Sequence, residues 1–407
     1  RRAGVDSVWA WDDFLDADLI SIAEAIPLSE FRLEENKDQE PSLDGLPIVL
    51  CGGMENQPDL VQALIERGVQ CGTNGLMLRE LRSVVHWEKW ALESGVGWPE
   101  SFFVSEYLKG DRKNGVRAAA TASENRWMCK STVGAGGMRV QRFDSLEALV
   151  RDFKSHRDSL TEEIERTSFD QTTYAQRMVD GITIGVSYCA SSDGVRIAGI
   201  ARGIVKGEFV APREFIYRGN TAPYPVPEEL REALQRFGNV VTAATSVRGL
   251  WQADFQVDTN GNAWLLEINP RWSASMELHE AIAGYSWMRE HLRAITGDRT
   301  PVKTSEPVYS TGKLFGKAIV YAPRNLETTE TSLQKLWDLR WLGTVSELEE
   351  QSTDGPFRFR VADIPKDTHF PEGVPVLTVY STGANHSELI GELTRGREEV
   401  LKILESR

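Results

Sequence analysis

The stretch GLWQADFQVDTNGNAWLLEINPR, Gly249–Arg271, constrains the fold of this chain more than any other. Two runs rich in β-branched and aromatic residues flank Asn260-Gly261, the preferred pair for a two-residue type I′ hairpin turn. With that turn Thr259 faces Asn262, and Asp254 stands directly opposite Glu267. Side chains alternate faces along a strand. Ala253, Phe255, Val257, Trp264, Leu266 and Ile268 then form an apolar face, while Gln252, Asp254, Gln256, Leu265, Glu267 and Asn269 share the other.

Like charges opposite one another, with Cβ atoms about 5 Å apart, destabilise a sheet. A hairpin that keeps them needs compensation. Open water on an exposed surface is one form. A shared proton, which raises one carboxyl pKa, is another. The third is a divalent cation, and oxygen-only ligands suit Mg²⁺ or Mn²⁺, with phosphates of a substrate completing the shell. Arg271, two residues after Asn269, supplies a cation for an anionic substrate or intermediate.

The rest of the composition narrows the field. The 407 residues allow two or three domains, and 41% hydrophobic residues allow substantial cores. Lys and Arg total 46 against 60 acidic residues, a formal net charge of -14. That balance argues against nucleic-acid partners, so any anion site is a local basic pocket. Cys51, Cys71, Cys129 and Cys189 show no CxxC spacing, which implies a reducing, cytoplasmic setting. No HExxH, HxxxH or GxSxG pattern occurs, and no apolar run is long enough for a membrane span. The chain opens at Arg1-Arg2-Ala3-Gly4 with no signal-like segment.

Periodicity divides the chain into segments 1–100, 101–300 and 301–407. In the first, SVWAW (7–11) and PIVLCGG (47–53) read as buried strands and PDLVQALIERG (58–68) as a helix, the rhythm of an α/β sheet. In the second, strands surround a glycine-rich loop, a charged helical stretch covers 145–166, antiparallel strands follow over 173–205, and helices are expected at 227–247 and 276–296. In the third, FGKAIVYAP, FRFRVADIP and PVLTVYSTG read as strands and HSELIGELTRGREEVLKILES as an amphipathic helix, an α+β unit.

WMCKSTVGAGGMRV (127–140) places Lys130 at a strand end before Gly134, Gly136 and Gly137. Glycines let backbone N–H groups approach phosphates. The lysine precedes the glycines, so this is no Walker A loop. It reads as a flap over a nucleotide or as a plain glycine-rich hairpin.

Lys130 with its flap, YAQRMVDG some forty residues on, and Asp254…Glu267-x-Asn269 together resemble the ATP-grasp superfamily. The resemblance implies an N-terminal Rossmann-like (pre-ATP-grasp) α/β domain, an ATP-grasp domain with a flap subdomain at about 125–180, and a small C-terminal α+β domain. It implies Mg²⁺ (or Mn²⁺) on Asp254, Glu267 and Asn269, ATP phosphates under Lys130, Gly134, Gly136 and Gly137, adenine along Gln176, Arg177, Met178 and Val179, and ribose near Thr183. Gln176 stands where Glu is common in the family, and Thr183 where an acidic residue is common. A further phosphate-binding lysine has no clear match, and Arg82 is the only candidate.

GGMEN (52–56), NPRWSASME (269–277) and the tail motif look like a subgroup of ATP-dependent carboligases related to biotin carboxylase. The resemblance implies activation of a small-molecule carboxylate as an acyl phosphate and its capture by an amine. Lys130 and Arg271 serve catalysis in that reading, and a pterin- or furan-type one-carbon cofactor is one setting. A homodimer is compatible with it. A bicarbonate-dependent carboxylase and a non-catalytic ATP-binding regulator are the alternatives. Arg202, Lys206 and Arg218 read as solvated charges or as a basic pocket, Glu277 as a base or a helix-start carboxylate, and Glu55 and Asn56 as acceptor contacts or, for Asn56, a helix cap.

Overall fold

The computed structural model describes residues 44–110, 126–134, 136–137, 140–284, 286–297, 312–340, 359–366 and 368–406. The expected strand at 7–11 lies outside these residues. No helix among them is long and apolar enough to cross a membrane.

Among the described residues fourteen strands fall into three sheets: β1 (Ser101–Phe103), β2 (Trp127–Ser131), β3 (Gln141–Phe143), β4 (Thr173–Arg177), β5 (Ile182–Ser191), β6 (Gly194–Gly203), β7 (Gly219–Ala222), β8 (Gly249–Val257), β9 (Ala263–Asn269), β10 (Leu314–Tyr321), β11 (Leu326–Glu327), β12 (Phe359–Ala362), β13 (His369–Phe370) and β14 (Pro375–Gly383). An eight-stranded sheet runs β12-β14-β10-β7-β6-β5-β8-β9, a four-stranded sheet β1-β4-β2-β3, and β11 pairs with β13. Strands from beyond residue 312 thus extend the sheet that holds the Asp254 hairpin.

One face of the large sheet is apolar. The helix Glu228–Thr245 presents Leu230, Leu234, Phe237 and Val241, all buried and spaced three or four residues apart, as an amphipathic helix requires. They pack on Ile184, Val186, Tyr188, Trp251, Ala253 and Phe255. Farther along, the helix His386–Glu405 lays Leu389, Leu393 and Val400 on Ala318, Val361 and Val379. The opposite face carries the polar side chains of β8 and β9 and is partly covered by the helix Met276–Ala283.

The local signals for helices hold in most places. Pro58 starts the helix Pro58–Glu66, and Gly68 follows its end at φ +91°. Three expectations need correction. PIVLCGG is not a strand: within it only Pro47 bridges, to Gln70, and the chain then turns into a short 3₁₀ segment at Met54–Asn56. The stretch 145–166 is two helices, Leu146–Ser159 and Glu163–Thr172. The stretch 276–296 is likewise two, Met276–Ala283 and Trp287–Thr296, because Gly284 takes the left-handed conformation that ends a helix.

The hairpin is right at its functional end and differs at its turn. Asp258 N–H bonds Asn262 C=O, and Gly261 N–H bonds Asp258 C=O, with Gly261 at φ +83°. This is a three-residue loop with a left-handed glycine, not a two-residue type I′ turn. The Asp258 carboxylate fixes it by accepting from Asn260 N–H, Asn262 N–H and Trp264 Nε1. Val257 therefore pairs with Ala263 rather than Trp264. A bulge between Asp254 and Phe255 then restores the register, so that Asp254 faces Glu267 as expected. Between the two irregularities the face assignment of β9 inverts. Leu265, expected beside the carboxylates, is fully buried in the core, and Trp264 and Leu266 are only half-buried.

Candidate active site

The site forms on the polar face of β8 and β9. Asp254 Oδ1 accepts from Gln252 Nε2 at 2.7 Å, and Oδ2 accepts from Asn269 Nδ2 at 2.9 Å. The same Asn269 amide donates to Glu267 Oε1 at 3.3 Å. An amide N–H₂ thus sits between two carboxylates and partly answers the like-charge conflict. Burial, and next the Glu267 charge, push the Asp254 carboxyl well above its usual range. Burial pushes Glu267 upward as well, but Lys130, Arg82 and the Asn269 amide outweigh it and hold Glu267 below its usual range. The two carboxyls are thus pushed in opposite directions, Asp254 toward the protonated form and Glu267 toward the ionised one.

The bulge has a local consequence. Leu266 is the unpaired residue, and its carbonyl accepts from Lys130 Nζ at 3.2 Å. Lys130 lies on β2, in the other sheet, and is 8% exposed. It also donates to Gln176 Oε1 at 3.1 Å. Burial lowers its pKa, opposed by Glu267 and Asp254. Lys130 thus ties the four-stranded sheet to the carboxylate hairpin.

Arg271 is more heavily engaged than its sequence position suggests. Its Nε donates to Glu55 Oε1 at 2.6 Å, Nη1 to Trp272 C=O and Ser273 Oγ, and Nη2 to Asn269 Oδ1 at 3.3 Å. Burial lowers its pKa, but Glu55 outweighs it and fixes the guanidinium charged. A guanidinium has five N–H donors, so about one remains for a substrate oxygen.

Arg82 is the feature that sequence reasoning undervalued. It is 8% exposed, donates to Ile268 C=O at 2.9 Å, and reaches Thr132 C=O at 2.5 Å and Gly134 C=O at 3.4 Å. It binds the flap backbone to β9 rather than standing free as a phosphate ligand. The flap is held from a second side, where Tyr217 N–H donates to Gly136 C=O. Gly137 sits at φ +75°, and a Cβ there would lie 1.8 Å from Phe215 C=O.

The other expected residues are placed as follows. Gln176 is fully buried, with its amide spent on Lys130 and on Ser101 Oγ. Arg177 N–H donates to Glu100 C=O at the end of β4, and Val179 follows in the loop to β5. Thr183 Oγ1 donates to Gln256 Oε1 on the carboxylate face. Arg202 pairs with Glu208, and Lys206 is mostly exposed. Arg218 is neither solvated nor a ligand: it is 5% exposed and donates to the carbonyls of Phe209, Arg213, Glu214 and Ile216.

Glu277 does lie in the first turn of its helix, but its Oε1 accepts from Tyr380 OH at 2.9 Å and from Lys317 Nζ. Lys317 and Tyr380 were missed. The alternation in FGKAIVYAP places Lys317 opposite Ala318 in face, a signal of a buried polar row. Register carries that row along the sheet: Lys317 pairs with Asn220 and with Tyr380.

Three oxygen donors, two of them carboxylates, fit Mg²⁺ completed by phosphates rather than an all-protein cage. In the described arrangement the Asn269 nitrogen faces the carboxylates, so its amide must turn for Oδ1 to join them. No cluster of three or more His, Cys, Asp or Glu side chains suited to a metal occurs among the described residues.

A family model described as an ATP-grasp domain matches residues 112–275. Residues 112–275 are thus an ATP-grasp domain. No curated protein sequence matches it. Among solved structures, the ATP-complexed carboxyaminoimidazole ribonucleotide synthase of Aspergillus clavatus is similar at 15% identity and a TM-score of 0.54, over 84% of this chain and 78% of that one. The biotin carboxylase domain of Hydrogenobacter thermophilus 2-oxoglutarate carboxylase, in complex with MgADP and bicarbonate, is similar at 12% identity and a TM-score of 0.61, over 88% and 82%. Campylobacter jejuni biotin carboxylase is similar at 12% identity and a TM-score of 0.61, over 87% and 78%. At these identities the likeness is one of fold: a mixed α/β ATP-grasp fold spanning most of the chain.

Proposed function

We propose that this ATP-grasp protein is an ATP-dependent carboxylate–amine ligase. The observation that carries the reading is the buried Asp254–Glu267–Asn269 constellation joined to Lys130 through the Leu266 carbonyl and to Arg271 through the Asn269 amide. Asp254, Glu267 and Asn269 would hold magnesium, which would supply charge neutralisation for phosphoryl transfer. Lys130 holds a phosphate as a point charge once its ammonium exchanges Gln176 or Leu266 for phosphate oxygen. The remaining Arg271 N–H faces the transferring oxygen, with Glu55 and Ser273 fixing its direction. The flap, held by Arg82, excludes water that would hydrolyse an acyl phosphate.

Gln176–Val179 frame the adenine and Thr183 the ribose in this reading. Ligation on a one-carbon cofactor of pterin or furan type is one reaction of this class, with a small carboxylate and an amine as substrates. A bicarbonate-dependent carboxylase is the second reading, supported by the likeness in fold to the bicarbonate-bound carboxylase domain. The chemistry differs only in which carboxylate is phosphorylated.

The test is incubation with ATP, Mg²⁺, hydroxylamine and pools of carboxylic acids. The ligase gives hydroxamate with one acid. Bicarbonate-dependent ADP release without hydroxamate selects the carboxylase. ATP binding with neither product refutes both.

A further inference from the structure

Two buried acceptors on neighbouring residues, one of them on the carboxylate that holds Arg271, are left over by the ATP chemistry. Glu55 is 1% exposed; Oε1 takes the Arg271 Nε bond at 2.6 Å, and Oε2 is buried without any hydrogen-bond partner. Asn56 donates through Nδ2 to Val133 C=O at 3.1 Å. Only the amide nitrogen can donate to a carbonyl, so Oδ1 is the free end. It too is buried and unpartnered. Buried polar atoms in native proteins are paired in the great majority of cases, and exceptions point to something that completes them.

Both bare atoms are acceptors, so what completes them carries N–H or O–H donors. One is a carboxylate oxygen, which favours a cationic donor. Their position is as telling. Glu55 and the metal-side Asn269 share Arg271, so Oε2 lies one guanidinium away from the proposed phosphoryl-transfer site. Asn56 touches the flap, so the pair lies at the seam between the Met54–Asn56 turn and the nucleotide cover. Cys51 and Gly52, at the start of the same loop, are exposed and open this side to solvent.

We infer that Glu55 Oε2 and Asn56 Oδ1 form the acceptor half-site, which takes the N–H donors of a primary amine and aims its nitrogen at the activated carboxyl. The assignment rests on the ligase reading. It adds the residues that hold the amine and its side of entry, past Cys51. Glu55 and Asn56 act here by binding and orienting the amine.

The experiment is saturation-transfer NMR on the full chain with Mg²⁺ and a non-hydrolysable ATP analogue. The probes are propylamine and 1,4-diaminobutane, against propanol and 1,4-butanediol. Wild type is expected to bind the amines and not the alcohols. Glu55→Gln keeps an oxygen for Arg271 and presents N–H where Oε2 was bare, so amine affinity falls about tenfold or more. Asn56→Ala removes the second acceptor without touching Arg271 and lowers affinity in the same direction; it carries the test if Glu55→Gln does not fold. A retained Mg-ATP thermal shift certifies each fold. Amines that fail to bind wild type, or bind both variants unchanged, overturn the assignment. Amine binding together with a failed hydroxamate assay strikes the ligase reading alone.

Discussion

Acidification should loosen this protein through two buried histidines that cover the active-site sheet. His279, in the helix after the Asn269–Arg271 segment, is 4% exposed and packs its ring over Gly199 of β6. His291 accepts from Leu250 N–H at 2.8 Å, on the strand that carries Asp254. Burial lowers both from 6.5 to about 4. The folded value lies below the unfolded one, so the unfolded chain takes the proton first as pH falls. Stability is complete above pH 6.5, declines between 6.5 and 4, and changes no further from these groups below 4. The full difference is about 3 kcal/mol per histidine, and about 2 kcal/mol of it is lost on going from pH 7 to pH 5. Two histidines together lose about 4 kcal/mol at pH 5, a large share of the roughly 5–15 kcal/mol typical of folded proteins. Urea midpoints at pH 7, 6, 5 and 4, followed by tryptophan fluorescence, measure it. His291→Gln keeps an acceptor for Leu250 but cannot be protonated, and should remove about half of the histidine contribution, ~2 kcal/mol between pH 7 and 5 relative to wild type. The double variant with His279→Gln should remove ~4 kcal/mol of it, while the raised Asp254 carboxyl, which stabilises the fold as pH falls, acts alike in every variant. An unchanged pH profile in the double variant would refute the reasoning.

Three further outcomes follow from the site. Glu267→Gln should abolish turnover, by about a hundredfold or more, and eliminate the extra thermal shift that Mg²⁺ and ATP give together beyond either alone; wild-type turnover would remove Glu267 from the metal site. Lys130→Ala should weaken ATP binding about tenfold or more, as loss of a buried charged contact does, and unchanged affinity by calorimetry would separate Lys130 from the nucleotide. Gly137→Ala forces a Cβ against Phe215 C=O at a left-handed φ, so the flap should dock poorly: KM for ATP rises and ATP hydrolysis without product increases, while the melting temperature moves by only a few degrees.

Much of the site was legible because its chemistry is local. Asp254, Glu267, Asn269 and Arg271 lie on one hairpin, and the period of two alone puts the first three on one face. The register was reached through a turn that does not form. A three-residue loop and a bulge at Leu266 shift the pairing in opposite directions, and neither leaves a mark in a pattern of alternating residues. Leu265 and Leu266 are chemically identical, so composition could not say which of them faces the core. Arg82 and Glu55 were weakly legible for another reason. Their partners lie 186 and 216 positions away in sequence, and no local spacing encodes such a contact.

By itself, the sequence determined the polar face of the hairpin, the strand that carries Lys130 ahead of its glycine-rich loop, and the helices that bury the other face. Each depends on periodicity or turn chemistry within some twenty residues. Only the tertiary structure decided which carboxyl is pushed up and which down, where the bulge carbonyl meets Lys130, and that Glu55 and Asn56 are left with unpartnered acceptors. Those outcomes depend on burial and on charges brought together from distant segments, and desolvation is a property of the assembled fold rather than of any stretch of chain.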